Sequence, residues 1–386
     1  MKIVCDSKIP FLRGVFEPWA QVLYLPGGDT TPAAVRDADA LLTRTRTRCD
    51  AALLDGSSVK VIASATIGYD HIDTAWCGSH GILWRNAPGC NAGSVEQYVA
   101  AALCTLSRRH GFPLAGCTLG VVGVGHVGSR VVRMAAALGM KVLMCDPPRA
   151  RAMSSLSPMS SRAQSRDLFL PLDEILSCSD IVSLHVPLTR TGIDATWHLL
   201  DAARLGAMRP DQWLINTSRG PVVDGAALKA ALQAGSLRGA VLDVWEDEPD
   251  PDRELMDLAD IATPHIAGYS ADGKAAGTAA AVRAVAEVLD LPLKDWAPAA
   301  IPAPAQPLSF EIDARGRTLS GVLSEAVLYT YNIVADDAAL RADAARFEAL
   351  RGDYPIRREP GAFSVRLIGG TGEMAERLSA LGFRLD

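Results

Sequence analysis

Apolar and polar positions along this chain fall into two rhythms. Short apolar runs at residues 3–5, 22–25, 40–43 and 61–65 carry no polar alternation and read as buried strands. Residues 94–108 predict a helix, because Ser94 can cap it, its interior is rich in Ala and Leu, and Gly111 lies just past its end. The rhythm then strengthens. Strands are predicted at 119–122, 141–145, 181–186, 213–216 and 240–244, with helices at 127–138 and 225–234. A long helix over 271–289 has Val282, Val285, Ala286 and Leu289 as its apolar stripe. Strands and helices alternating at this spacing imply an α/β protein with a doubly wound parallel sheet.

Two segments break the rhythm. Residues 149–166 contain six serines and few large apolar residues, and read as a mobile surface insertion. Residues 291–308 contain five prolines, which sustain neither a helix nor a central strand, and read as a linker to a third unit at 309–386. That unit shows one apolar strand near 363–367 and helices near 319–331 and 373–381. It is too small for much chemistry and suits assembly.

The 386 residues carry 38 Lys and Arg against 44 Asp and Glu, a formal charge of −6, with 49% apolar residues. These values exclude a mostly disordered or collagenous chain and argue against non-specific nucleic-acid binding. No apolar run approaches the roughly 20 residues that span a bilayer. The start, Met1-Lys2-Ile3-Val4-Cys5-Asp6, meets an acid too early for a signal peptide. Eight cysteines form no CxxC pair and none lies beyond Cys178. A reducing cytoplasm is therefore expected, with neither a disulfide framework nor a structural zinc.

Gly123, Gly125 and Gly128 form a GxGxxG between a predicted strand and a predicted helix. The first glycine permits a tight turn, the second lets backbone approach a pyrophosphate, and the third lets helix and strand pack closely. The helix N-terminus adds free N–H groups and a positive dipole end. The next strand ends in Asp146, eighteen residues beyond Gly128. A carboxylate there accepts from both ribose hydroxyls and repels a 2′-phosphate, so NAD is expected rather than NADP. Arg149 could pair with that phosphate.

Three polar clusters follow strands of the same half: Asn216-Thr-Ser-Arg219-Gly220, Leu242-Asp243-Val-Trp-Glu246-Asp-Glu248-Pro249, and Thr263-Pro264-His265-Ile-Ala-Gly268-Tyr269. Open α/β sheets bind ligands at such strand ends. Arg can clamp a carboxylate, His can take a hydroxyl proton as hydride leaves, and a carboxylate beside the His holds its tautomer. Arg and His already supply charge and proton transfer, so no metal is required. Read singly, the first cluster is also a turn and the second an acidic surface loop.

Together, in this order and spacing, the clusters resemble the three signatures of the D-2-hydroxyacid dehydrogenase family. The resemblance covers nearly the whole chain. Ala87-Pro88-Gly89-Cys90-Asn91-Ala92, Cys145-Asp146-Pro147-Pro148-Arg149 and the tail Tyr331-Asn332, Tyr354-Pro-Ile-Arg357-Arg358-Glu359 narrow it to one branch. It implies a Rossmann NAD domain at 95–264, a flavodoxin-like lobe from 1–94 with 265–290, a substrate crevice between the lobes, and a C-terminal domain that forms a homodimer. The implied substrate is a small phosphorylated 2-hydroxy acid. Other chemistry within the family, on 3-phosphoglycerate or glyoxylate, is one alternative. A non-enzymatic NAD-sensing corepressor on the same fold is another.

Carried over by position, Arg219 resembles the carboxylate-binding arginine, Glu248 the glutamate paired to the histidine, and His265 the acid/base. His126, Val127, Thr217, Ser218, Asp243 and Gly268 resemble cofactor contacts. Thr45, Thr66 and Tyr269 resemble substrate contacts. Thr45 stands where Ser is usual, His126 where Asn is common, Gln97 where Glu is common and Val186 where a Thr often contacts NAD. For the phosphate, residues 43–48 alternate Thr and Arg. If they were extended, the three Arg would share one face, and Arg44 beside Thr45 would be the best placed of them.

Overall fold

The N-terminal apolar runs become strands of one parallel sheet. The computed structural model describes residues 1–156 and 168–386. Its chain divides into two compact units, Met1–Ala92 with Tyr269–Ala303, and Gly93–Gly268 with Pro304–Asp386.

In the first unit β1 (Lys2–Asp6), β2 (Gln21–Leu25), β3 (Ala40–Thr43), β4 (Val61–Ser64) and β5 (Leu83–Arg85) stand in the order β2-β1-β3-β4-β5. Every pairing is parallel. This is the flavodoxin-like order, with its switch point between β1 and β3. β3 and β4 are buried at every position, as strands of a covered parallel sheet must be. Part of the cover is the helix Ala271–Val288, which Ser270 caps by accepting the Gly273 amide. Its Val282, Val285 and Ala286 are fully buried. β5, a short and half-exposed strand, was not foreseen.

The second unit holds β6 (Thr118–Val122), β7 (Lys141–Cys145), β8 (Ile181–Leu184), β9 (Trp213–Asn216), β10 (Gly239–Leu242) and β11 (Ile261–Ala262). Their order is β11-β10-β9-β8-β6-β7, again all parallel. The strand order reverses between β6 and β8, so the switch point lies beside the glycine turn. Of the serine-rich stretch, Arg149 to Leu156 continue the helix Pro147–Leu156. The reading of 157–166 as mobile falls outside the described residues.

A three-stranded parallel sheet of β12 (Ser309–Asp313), β13 (Ser364–Ile368) and β14 (Arg384–Leu385) forms the C-terminal module. This module, which the prolines of 291–308 precede, groups with the second sheet. The reason lies in the helix Ala92–His110, which is apolar around most of its girth. Such a helix must be covered on several sides. Tyr98, Leu103 and Leu106 of this helix share one buried cluster with Leu119 and Val121 of β6 and with Ile312, Val322 and Phe363 of the module. The module's helix Ile333–Ala342 also covers the sheet edge. Asp337 Oδ1 accepts the Ala262 amide of β11 at 2.7 Å, and Arg341 donates to the carbonyls of Met256 and Ala259, both at 2.7 Å. One amide of the edge strand and two carbonyls at the end of the helix Arg253–Leu258 are thereby satisfied.

Among the described residues no helix is long and apolar enough to cross a membrane, and all eight cysteines are free.

Candidate active site

β6 leads into the glycine turn, and the helix His126–Ala137 leaves it. Gly123 has φ +87°, which favours glycine, and a Cβ there would lie 2.6 Å from the His185 carbonyl oxygen. A Cβ on Gly128 would overlap the carbonyl oxygen of Gly123. Gly125 is different: nothing lies within 4 Å of where its Cβ would stand. It is also the helix N-cap, with no side chain bonded to the first amides. An exposed, uncapped helix start with free space above its glycine fits a dinucleotide pyrophosphate. His126 is exposed and Val127 half-buried on the same first turn.

Asp146 follows β7. Its Oδ2 accepts the Val124 amide at 2.8 Å and its Oδ1 accepts the Arg149 amide at 3.0 Å. Arg149 donates from Nη1 to the Val124 carbonyl. The carboxylate thus stiffens the turn, and each oxygen keeps a lone pair for a ribose hydroxyl.

One histidine outside the predicted site supports its far side. His185 follows β8 and lies between Ser183 Oγ, 2.9 Å from Nε2, and Thr217 Oγ1, 3.3 Å from Nδ1. Burial alone pushes its pKa down to about 3, so the ring is neutral in the folded protein. An unfolded histidine protonates below about pH 6.5, so folding stability is complete above that pH and falls as the pH drops towards 3. The expected loss from this ring is roughly 2 kcal/mol between pH 7 and pH 5. Urea unfolding of wild type and His185→Gln at both pH values checks it; parallel losses in the two proteins would count against a buried neutral ring.

The catalytic candidates leave the ends of three neighbouring strands. Beyond β9, Asn216 shapes the loop: its Oδ1 accepts the Ser218 amide at 3.1 Å and the Ser218 hydroxyl at 2.8 Å, and its Nδ2 donates to the Arg219 carbonyl at 3.0 Å. Ser218 is therefore buried and turned inward, whereas Thr217 and Arg219 are half-buried. Arg219 Nη1 donates to the Ser218 carbonyl at 2.8 Å. Gly220 is needed because a Cβ would overlap the Trp245 carbonyl, and this close approach seats the Arg219 loop on the loop beyond β10.

In that second loop Glu248 Oε1 accepts the Trp245 amide at 3.0 Å, and Oε2 is 2.7 Å from His265 Nδ1. Burial works to raise the Glu248 carboxyl. The hydrogen bond and charge of His265, the Trp245 amide and Arg351 outweigh it and hold the group below the usual glutamate value. Glu248 is thus an anion that accepts a hydrogen bond from Nδ1–H. That leaves Nε2 as the position that exchanges a proton with substrate.

His265 follows β11 with φ +56°, a strained position for a residue with a Cβ. Several bonds hold it. Its amide donates to the Asp243 carbonyl at 2.7 Å. The Asp243 side chain, 1% exposed, accepts from Ile266 N at 2.8 Å, Ala267 N at 2.9 Å and Thr263 Oγ1 at 2.7 Å. Since Thr263 spends its proton on Asp243, the Tyr98 hydroxyl 2.6 Å away is the donor to Thr263. Burial pushes the Asp243 carboxyl up, opposed by the charge of His265 and these bonds. Asp243 is the anchor of the His265–Gly268 turn, a role the sequence reading, which made it a cofactor contact, did not assign.

In the first unit Arg44 and Thr45 follow β3, and Thr66 follows the adjacent β4. Arg44 Nη1 donates to the Lys8 carbonyl at 3.2 Å, and its own carbonyl accepts from Thr66 Oγ1 at 3.3 Å. Tyr269 precedes the helix Ala271–Val288, with the Lys274 ammonium 4.9 Å from its ring centroid. The expected alternation of residues 43–48 does not occur, because β3 ends at Thr43. Thr43 and Thr47 are buried and Thr45 exposed, so the threonines share no face. Thr47 bonds the Gly27 carbonyl at 2.9 Å, and Arg48 pairs with Asp50 at 2.7 Å.

Residues 91–267 match the family description "D-isomer specific 2-hydroxyacid dehydrogenase, NAD binding domain", and residues 305–382 match a domain of unknown function. The chain belongs to the D-isomer specific 2-hydroxyacid dehydrogenases, oxidoreductases that use NAD. It is 44% identical to the erythronate-4-phosphate dehydrogenase of Porphyromonas gingivalis, over 99% of this chain and 100% of that one. It is 42% identical to the enzyme of that name from Pseudomonas syringae, over 99% of each. Within the family it stands with these erythronate-4-phosphate dehydrogenases. A solved structure, D-lactate dehydrogenase from Aquifex aeolicus with NAD and lactic acid, is 27% identical with a TM-score of 0.56, covering 72% of this chain and 92% of that one.

Proposed function

We propose that the chain oxidises 4-phospho-D-erythronate at carbon 2 to 2-oxo-3-hydroxy-4-phosphobutanoate, a step of pyridoxal 5′-phosphate formation. The observation that carries the chemistry is the 2.7 Å pair of His265 Nδ1 and Glu248 Oε2, on the loop beside that of Arg219. Arg219 clamps the substrate carboxylate and polarises the oxygen on carbon 2. His265 Nε2 takes the hydroxyl proton, and the Glu248 anion stabilises the imidazolium that results. NAD supplies the acceptor for the hydride that leaves carbon 2. The chain holds it through Gly123, Gly125, His126, Val127 and Gly128 at the pyrophosphate, Asp146 at a ribose, and Thr217, Ser218, Asp243 and Gly268 towards the nicotinamide. Arg44, Thr45, Thr66 and Tyr269 contact the substrate, with Arg44 at its phosphate.

NADH formation is expected with 4-phosphoerythronate well above that with 3-phosphoglycerate. The reverse ranking would redirect the substrate assignment within the family. No turnover with any 2-hydroxy acid, despite bound NAD, would favour a sensor. In the same assay Arg44→Ala weakens the phosphorylated substrate by about 10- to 100-fold, the worth of a charge-assisted hydrogen bond. It leaves a substrate without phosphate nearly unchanged. Equal losses would remove Arg44 from the phosphate.

The protein works in the cytoplasm as a homodimer joined through the C-terminal module. The eight free thiols and the exposed apolar side chains of Val334, Ile356 and Leu385 on that module support this reading. A full-length chain that sediments as a monomer at micromolar concentration would sink the dimer.

A further inference from the structure

Arg357 belongs to the C-terminal module and is 4% exposed. Its Nη2 donates to the carbonyls of Ile266 at 3.1 Å and Ala267 at 2.6 Å. These are the two residues whose amides Asp243 accepts from the other side. The peptide between Ile266 and Ala267 is therefore gripped at both ends, its N–H by a buried carboxylate and its carbonyl by a buried guanidinium.

The guanidinium is itself fixed. It lies 4.3 Å from the Tyr331 ring centroid and 5.6 Å from that of Tyr354, a favourable seat for a cation. Both tyrosine hydroxyls donate to Asp336 Oδ2, at 2.8 and 2.7 Å. Nε and Nη1 of Arg357 are buried without a hydrogen bond among the described residues. An arginine placed only to fill or stabilise the module would be expected to satisfy those groups, because an unpaired buried donor costs about 1–3 kcal/mol. What the arrangement secures is the turn carrying His265, whose positive φ persists only where its surroundings over-determine it.

We propose that Arg357 is a positioning residue for hydride transfer, through which the C-terminal module holds the His265 imidazole against Glu248 in the geometry that accepts the substrate proton. It touches neither substrate nor cofactor and acts through the peptides that follow His265. This rests on the reading of His265 as the base. It gives the module a part in catalysis besides assembly, since the second sheet alone supplies only the Asp243 half of the clamp.

The test compares the full-length wild type with Arg357→Met, which keeps the packed stem and removes every donor, and with Arg357→Lys, which keeps the charge but loses the fork. In Arg357→Met kcat falls at least ~10-fold, while KM for 4-phosphoerythronate and the dissociation constant for NAD stay within about threefold. Amide hydrogen exchange at Ile266 and Ala267 rises at least ~10-fold, while exchange in β8 and β9 is unchanged. Arg357→Lys recovers part of both losses, and it carries the test should Arg357→Met not fold. Unchanged exchange at Ile266 and Ala267 in a folded variant overturns the proposal whatever the substrate. So does a kcat that holds in a wild-type background that turns over, or a loss that falls on NAD affinity in step with the melting temperature. A wild type with no turnover would instead overturn the reading of His265, and the exchange result would still judge the clamp.

Discussion

Replacing His265 by alanine lowers the rate of hydride transfer at least ~100-fold and leaves NAD binding intact, the low end of what a general base supplies. The two effects separate because the sheet separates the groups. His265 stands beyond β11 at one edge, whereas the glycine turn and Asp146 follow β6 and β7 at the other. The loss is large because the imidazole is the proton acceptor of the step, and the site's two carboxylates are held by the protein: Glu248 Oε1 accepts the Trp245 amide, and Asp243 accepts three protein donors. Alanine also relieves no backbone strain, since it too carries a Cβ at φ +56°. Single-turnover NADH absorbance measures the rate, and quenching of protein fluorescence measures NAD binding. Near-normal activity would remove His265 from the mechanism.

Gly128→Ala strikes the cofactor side with a comparable effect. The new Cβ overlaps the Gly123 carbonyl oxygen and meets the Gly123 carbonyl carbon at 3.0 Å. Both are backbone, so no flexible side chain can give way. The helix His126–Ala137 has to move off the turn, at a cost of about 1–3 kcal/mol or more. Displacing the helix start from the pyrophosphate position weakens NAD by roughly 10- to 100-fold, and the melting temperature falls as well. Gly125→Ala is the informative control. Its Cβ meets nothing within 4 Å, so the protein folds as before, yet the methyl occupies the space left for the pyrophosphate. Gly125→Ala with wild-type stability and wild-type NAD affinity would mean that the pyrophosphate is bound elsewhere.

Much of this architecture is written in local pattern. β3 and β9 begin and end where they are predicted to, because a strand covered on both faces tolerates few polar residues. The glycine turn and the three loop clusters are legible because each glycine or charged group answers a local chemical need. The short edges were not. β5 has three half-exposed residues and β11 only two, too short for a period to show. The Thr and Arg alternation after Thr43 misled for a related reason: period two means a shared face only while the backbone stays extended.

Linear order alone settled the parallel α/β class, the dinucleotide turn, and the identities of the guanidinium, carboxylate and imidazole, since these depend on residue type and short spacing. Folding in three dimensions decided what those groups do to one another. It set the Asp243 carboxylate to hold the turn behind His265. It placed the half-buried, neutral His185 beside Thr217. It brought Arg357, far along the chain, onto the carbonyls of Ile266 and Ala267. Such contacts have no sequence period because they are set by which apolar faces pack together. Here the all-round apolar helix Ala92–His110 drew the C-terminal module onto the second sheet, and the arginine came with it.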